Sequence, residues 1–341
     1  MQDSPQDSRD GDIIMKQAKR MRTPSVILHT DTPGPALEIV QIAHPDLSIQ
    51  TCDSYETLPD MIQRTDAEVV YSVRFAGTPG YPRQALVESD TVRWVSVGGS
   101  GTDHLAGWDP TQLTVTNAAG VAADMMAEYT LGAILHFSLN RAGFANAQSA
   151  HRWIAGQVTQ IMGKRILILG LGQTGCAIAQ RCKAMGLHVT GVRARPTAMD
   201  QVDEVHGIDA LPVLWPRADF IAICVPLLDS TRRMVDAAAI AQMKPGTVLV
   251  DVSRGGVVDQ TALAEALTQG RLGGAALDVF ETEPLPADSP LWDLENVILT
   301  PHCSSVYDGW DLKSVAMFSD NLSRYRQDAP LLNIVDPNRG Y

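Results

Sequence analysis

Between Ser25 and His302, short apolar runs of β-branched residues alternate with segments of helical period, and no other feature of the sequence limits the fold as much. The first series reads VILHT, PALEIVQIAH, SIQTCD, LPDMIQR, EVVYSVR, PRQALVES and VRWVSVGG, and closes on the short run LTVTN. A second opens at Lys164 with RILILG and a helix to Met185, followed by HVTGV, FIAICVP, TVLVDVS, GGAALDVF and NVILTPH. Strands joined by helical crossovers are the pattern of parallel sheets covered on both faces, so the sequence predicts an α/β fold.

At 341 residues the chain is long enough for two domains with separate cores. Its 39 acidic and 27 basic residues leave a formal charge of −12, which argues against nucleic acid or an anionic membrane as a partner. Any positively charged site must be local. The five cysteines, Cys52, Cys176, Cys182, Cys224 and Cys303, show no metal-ligand spacing. Their odd number, without a secretory signal, implies reduced thiols in a cytoplasm. No apolar run approaches the roughly 18 residues of a membrane span. Residues 1–23, rich in Gln, Asp and Ser and then basic through Lys16, Lys19, Arg20 and Arg22, read as a disordered tail. Two longer helices stand out. Ala122–Leu139 is so apolar that it is expected to pack between domains or subunits, and the stretch from Asp308 to Gln327 is amphipathic.

Gly170-Leu171-Gly172-Gln173-Thr174-Gly175 follows the expected strand Arg165–Leu169 and opens the helix Gln173–Met185. In that context G-x-G-x-x-G lets the backbone turn tightly and approach a pyrophosphate, whose charge the free N–H groups of the helix start attract. A dinucleotide site built on Gly170, Gly172, Gln173, Thr174 and Gly175 is therefore expected. About 20 residues past the first glycine, an acidic residue would bind the ribose 2′-hydroxyl of NAD(H). Arg193 stands there instead, with Arg195 two positions on. A guanidinium offers no acceptor to a hydroxyl but pairs with a 2′-phosphate, which favours NADP(H) and leaves NAD(H) as the alternative.

Three apolar segments near the C-terminus each run toward a polar residue: Thr247–Ser253 into Arg254, Leu272–Asp278 toward Glu283, and Asn296–Pro301 into His302. As parallel strands of one sheet, their carboxyl ends would open on one crevice. Each residue alone is an ordinary surface or structural side chain. Together, beside a dinucleotide motif, they point to an enzyme that clamps an anion and moves a proton.

GLGQTG, VPLLDSTRRMVD, MKPGTVLVDVSRGGVVD, GAALDVFETEPLP and TPH, in this order within Val69–Leu322, resemble the D-isomer-specific 2-hydroxyacid dehydrogenases. The resemblance implies two Rossmann-like or flavodoxin-like domains with parallel sheets: a substrate domain of residues 24–118 joined by 303–341, and a dinucleotide-binding domain of 119–302. The active site would lie in the cleft between them. By similarity, Arg254 binds the substrate carboxylate and polarises its carbonyl, His302 is the general acid/base, and Glu283 orients His302 and raises its pKa. Similarity also places the substrate carboxylate on the backbone around Ser100 and Gly101 in GGSGTDHL, and the nicotinamide carboxamide on Asp278. Val225, Pro226, Leu227, Thr231, Val252, Ser253 and His302 then line the cofactor.

Some positions depart from the family's usual pattern. Thr174 replaces an aliphatic residue, Asp251 stands where asparagine is frequent, and Cys303 occupies the place of a small residue. None removes a catalytic group, and a carboxylate at Glu283 sets the chain nearer the hydroxyacid enzymes than the formate branch. Arg74 reads either as a substrate contact or as a solvated charge, and Tyr307 and Trp310 either as pocket wall or as packing. The function expected is NAD(P)H-dependent reduction of a small anionic 2-keto acid, of glyoxylate or hydroxypyruvate type, to the D-2-hydroxy acid, and the reverse. A cytoplasmic homodimer joined through the cofactor domain, without a metal, is expected. The rival is a nucleotide-sensing binding protein like the family's corepressor branch.

Overall fold

The computed structural model describes residues 21–75, 78–337 and 339. Residues 1–20 of the expected tail lie outside the described residues. Its last part needs correction, because Arg22 is anchored: its N–H donates to Arg326 O at 2.9 Å, and its guanidinium lies 4.4 Å from the ring centre of Tyr325.

The strands form two parallel sheets. The first contains β1 (Val26–His29), β2 (Ile49–Cys52), β3 (Val69–Ser72), β4 (Trp94–Val97) and β5 (Thr114–Asn117), in the order β2-β1-β3-β4-β5. The second contains β6 (Arg165–Leu169), β7 (His188–Val192), β8 (Glu204–His206), β9 (Phe220–Ile223), β10 (Val248–Asp251), β11 (Gly274–Leu277) and β12 (Val297–Leu299). Its order is β12-β11-β10-β9-β6-β7-β8. These are the flavodoxin-like and dinucleotide-fold arrangements, each with one reversal of strand order. Strands β1, β3, β4, β9, β10 and β11 are buried along their whole length, which is why they read as unbroken apolar runs rather than alternating ones.

The expected strand Thr247–Ser253 stops at Asp251, because the N–H and hydroxyl of Ser253 both turn back onto Asp251 Oδ1, at 2.9 and 2.5 Å. The edge strand β8 escaped the sequence reading, being three residues long and only half-buried. Helix Ala123–Ser138 packs on helix Gln173–Ala184 and against β10, so much of its apolar surface is absorbed within its own half of the chain. The C-terminal helix Trp310–Arg326 returns to the first sheet. There it packs on helix Pro33–Ala43 and buries Val315, Phe318 and Leu322 with Val26, Leu28 and Trp94.

The chain therefore passes between the sheets twice, after Asn117 and after Leu299. The two passages touch where Tyr307 OH donates to Val121 O at 2.8 Å. The C-terminal segment is fastened beside them: Asn333 Nδ2 donates to Ala119 O at 2.9 Å, and Ile334 bridges Thr116.

Candidate active site

Strands β6 and β9 flank the reversal in the second sheet, and the glycine turn lies at their carboxyl ends. Gly170 has φ +96°, and a Cβ there would sit 2.8 Å from Cys224 O. At Gly175 a Cβ would stand 1.9 Å from Gly170 O, so any side chain would hold the helix off the strand. Gly172 is different, because among the described residues no heavy atom beyond its chain neighbours lies within 4 Å of where its Cβ would be. The space before it is open. The N–H of Cys176 reaches Gly172 O at 2.9 Å, leaving those of Gln173, Thr174 and Gly175 available to an anion at the helix start. This open, donor-lined turn fits a pyrophosphate. Gly170 N also donates to Val192 O at 2.9 Å, which sets Arg193, the first residue beyond β7, beside the turn. Arg193 Nη1 lies 3.4 Å from Thr197 Oγ1, and Arg195 is exposed. No carboxylate pairs with either arginine among the described residues.

Strands β10, β11 and β12 are neighbours, so the residues that follow them open on one side of the sheet. His302 Nδ1 lies 2.8 Å from Glu283 Oε2, while Glu283 Oε1 accepts the Phe280 N–H at 3.0 Å. With both oxygens engaged, Glu283 fixes the ring by Nδ1 and leaves Nε2 for a proton. Burial pushes the Glu283 carboxyl up, but the hydrogen bonds from His302 and Phe280 and the charge of Arg254 outweigh it and hold it below the usual carboxylate range. Arg254 Nη1 donates to Ser253 O at 2.7 Å, and Nε to Asp103 Oδ1 at 3.3 Å. Burial likewise raises the Asp103 carboxyl, and the adjacent guanidinium more than reverses that.

The loop after β4 meets this group from the other sheet. A Cβ on Gly101 would stand 1.9 Å from Arg254 Nη2, so the absence of a side chain there is what lets the guanidinium lie against the loop. Asn117 at the end of β5 pins the loop, donating from Nδ2 to Ser100 O at 2.6 Å. Sequence reasoning named Ser100 and Gly101 but not Asn117 or Asp103, whose partners are 17 and 151 residues away. No local pattern marks either.

Asp278 is buried, and the hydrogen bonds of its carboxylate run to the segment around His302. Its Oδ1 accepts Thr300 Oγ1 at 2.6 Å and the Cys303 N–H at 2.9 Å, and its Oδ2 accepts the Ser304 N–H at 2.9 Å. Asp251, 2% exposed, sits three residues before Arg254; burial and the neighbouring Asp278 push its carboxyl up to about 7, against the hydrogen bonds from Ser253. Val225 and Pro226 lie half-buried beyond β9 beside Gly170. Thr231 commits its hydroxyl to Pro226 O at 2.6 Å and Ser253 to Asp251, while Val252 is buried. Those three side chains are taken up by contacts within the protein. Arg74 is exposed at the carboxyl end of β3, and Trp310 packs against the core over the first sheet.

Residues 131–304 match the family model described as D-isomer specific 2-hydroxyacid dehydrogenase, NAD binding domain. A D-3-phosphoglycerate dehydrogenase of Methanocaldococcus jannaschii is 33% identical over 264 residues, which cover 75% of this chain. They cover 49% of that relative, so the chain spans about half its length. A glyoxylate reductase of Korarchaeum cryptofilum is 32% identical over 231 residues, covering 65% of this chain and 69% of the relative. Among solved structures, a D-isomer specific 2-hydroxyacid dehydrogenase from Xanthobacter autotrophicus Py2, in complex with NADPH and MES, matches with a TM-score of 0.79. It is 28% identical, and the match covers 94% of this chain and 100% of that one.

Proposed function

The chain belongs to the D-isomer specific 2-hydroxyacid dehydrogenase family, whose members are oxidoreductases using a nicotinamide dinucleotide, and on that premise we propose its reaction. It reduces a small 2-keto acid of glyoxylate or hydroxypyruvate type to the D-2-hydroxy acid, preferring NADPH to NADH, and catalyses the reverse. The observation that carries this reading is the His302–Glu283 contact at 2.8 Å, close to Arg254 at the ends of three adjacent strands. The relative named glyoxylate reductase supports a small acid. Arg193 beside the glycine turn, with no carboxylate among the described residues paired to it, supports the 2′-phosphate.

Bound NADPH supplies the hydride. Arg254, held at Nε and Nη1, presents Nη2 to the substrate carboxylate and carbonyl beside Ser100 and Gly101. His302 gives the proton on Nε2 to the carbonyl oxygen as it gains charge, and Glu283 on Nδ1 balances the imidazolium. Because Glu283 is held below the ordinary carboxylate range, that balance is present through neutral pH and is lost only as the pH falls through its lowered pKa.

A panel of 2-keto acids assayed with NADPH and with NADH tests the proposal. Turnover of glyoxylate or hydroxypyruvate is expected, and no turnover of any acid with either nucleotide would hand the case to the nucleotide-sensing rival. His302→Ala should lower kcat by about 10³-fold with little change in NADPH affinity. Arg193→Asp should move the preference toward NADH by about tenfold, measured as the ratio of kcat/KM values.

Two copies are proposed to associate through the cofactor half in a cytoplasm. Residues 152–160 run over the surface without helix or strand and hold Trp153 fully exposed at 101%, with Ile154 and Val158 also exposed. Such a run of bare apolar side chains suits a protein interface. Sedimentation should give a dimer, with Trp153→Asp shifting it toward monomer. None of the described helices is long and apolar enough to cross a membrane.

A further inference from the structure

His302 has φ +53°, the left-handed region that a side chain seldom occupies. Such a conformation persists where its surroundings over-determine it, and it calls for a holding group. The segment from Thr300 to Ser304 turns tightly, with the His302 N–H on Thr300 O at 3.0 Å, and wraps around one buried carboxylate. Asp278 accepts from Thr300 on one side of the histidine and from the N–H groups of Cys303 and Ser304 on the other. Thr300 Oγ1 is in turn 2.9 Å from Tyr129 OH on helix Ala123–Ser138. Glu283, five residues beyond Asp278 on the same exit from β11, holds the ring.

We infer that Asp278 is a positioning residue for His302, acting through the backbone of the turn while Glu283 acts on the imidazole. A carboxylate suits this task because it takes three donors on two acceptor oxygens. Asparagine has only one acceptor and would set an NH₂ group against a backbone N–H. The inference rests on reading His302 as the proton donor, so its test must separate the two ideas.

The experiment is a double-mutant cycle of Asp278→Asn with His302→Ala, assayed with glyoxylate and NADPH, alongside fluorescence titration of NADPH. Asp278→Asn is expected to cost about 100-fold in kcat beyond any loss of NADPH affinity, which the titration measures separately because Asp278 is also the residue expected to meet the nicotinamide carboxamide. In the His302→Ala background the same change should cost almost nothing, because a residue that works through the imidazole has nothing left to position. Thr300→Val should lose about tenfold, again only when His302 is present, and this cycle decides the matter if Asp278→Asn does not fold. Equal losses in both backgrounds would overturn the inference, as would a loss of NADPH affinity that accounts for the whole effect. A normal rate in Asp278→Asn with a dead His302→Ala sinks the positioning role alone. Full turnover in His302→Ala removes both.

Discussion

The two sheets each reverse their strand order once, between β1 and β3 in the first and between β6 and β9 in the second, and at each reversal the carboxyl ends of two strands diverge into a crevice. In the first sheet the crevice is filled. His29 Nδ1 bonds Ser72 Oγ at 2.8 Å and Ser72 Oγ meets Tyr81 OH at 2.7 Å, while Tyr55 and Phe75 stack at 4.6 Å over the imidazole. Burial pushes His29 down to about 4, so it stays neutral. In the second sheet the same place carries Gly170, Gly172 and Gly175, and nothing stands before Gly172. The topology makes a crevice available twice, and side-chain volume decides which one takes a dinucleotide.

This contrast breaks first at Gly175. Gly175→Val forces the helix off β6 through a backbone collision, and a loss of more than about 4 kcal/mol, or failure to fold, is expected in thermal denaturation. Next comes His29→Ala, which empties part of the filled crevice and leaves Ser72 short of a partner. It should cost about 3 kcal/mol of stability by urea titration yet leave NADPH affinity alone. If it weakened NADPH binding instead, the two crevices would not be independent. Gly172→Ala is the inverse case: the new methyl meets no atom of the described residues beyond its chain neighbours, so Tm should hold, while NADPH Kd rises about 100-fold, close to 2.7 kcal/mol. An unchanged Kd would mean that the open space is not the pyrophosphate site.

The smallest effect concerns the buried carboxyl behind the second crevice. The folded state raises Asp251 from 3.8 to about 7 and so favours its neutral form. Stability from this group is complete below its unfolded value and is lost as the pH climbs through about 7. Asp251→Asn, a neutral isostere, should therefore raise Tm by a few degrees at pH 8 and have little effect at pH 4. Equal shifts at both values would show that charge is not the cause.

Much of this was legible in the chain itself. The apolar runs announced the strands because both faces of each sheet are covered, and the glycine spacing announced the open crevice because backbone approach leaves no other residue type free to stand there. Arg254, Glu283 and His302 were legible as strand-end residues. Their supporting contacts were not: Asp103 reaches Arg254 across 151 positions, and the bonds of Asp278 to the His302 turn span 22 to 26. Nothing in a local window encodes which distant backbone N–H will point at a carboxylate. The fate of helix Ala123–Ser138 was hidden for the same reason, since the helix it packs on, Gln173–Ala184, lies outside its own window of sequence.

The paired passages of the chain between the sheets carry a mechanical consequence. The two segments lie side by side, joined by Tyr307 on Val121, and the C-terminal segment is fastened to the first of them by Asn333 on Ala119, so any change of angle between the halves has to be taken up at these strips of chain. The Gly101 loop and Arg254 belong to opposite halves, so the angle between the halves also sets how closely the guanidinium and the loop approach.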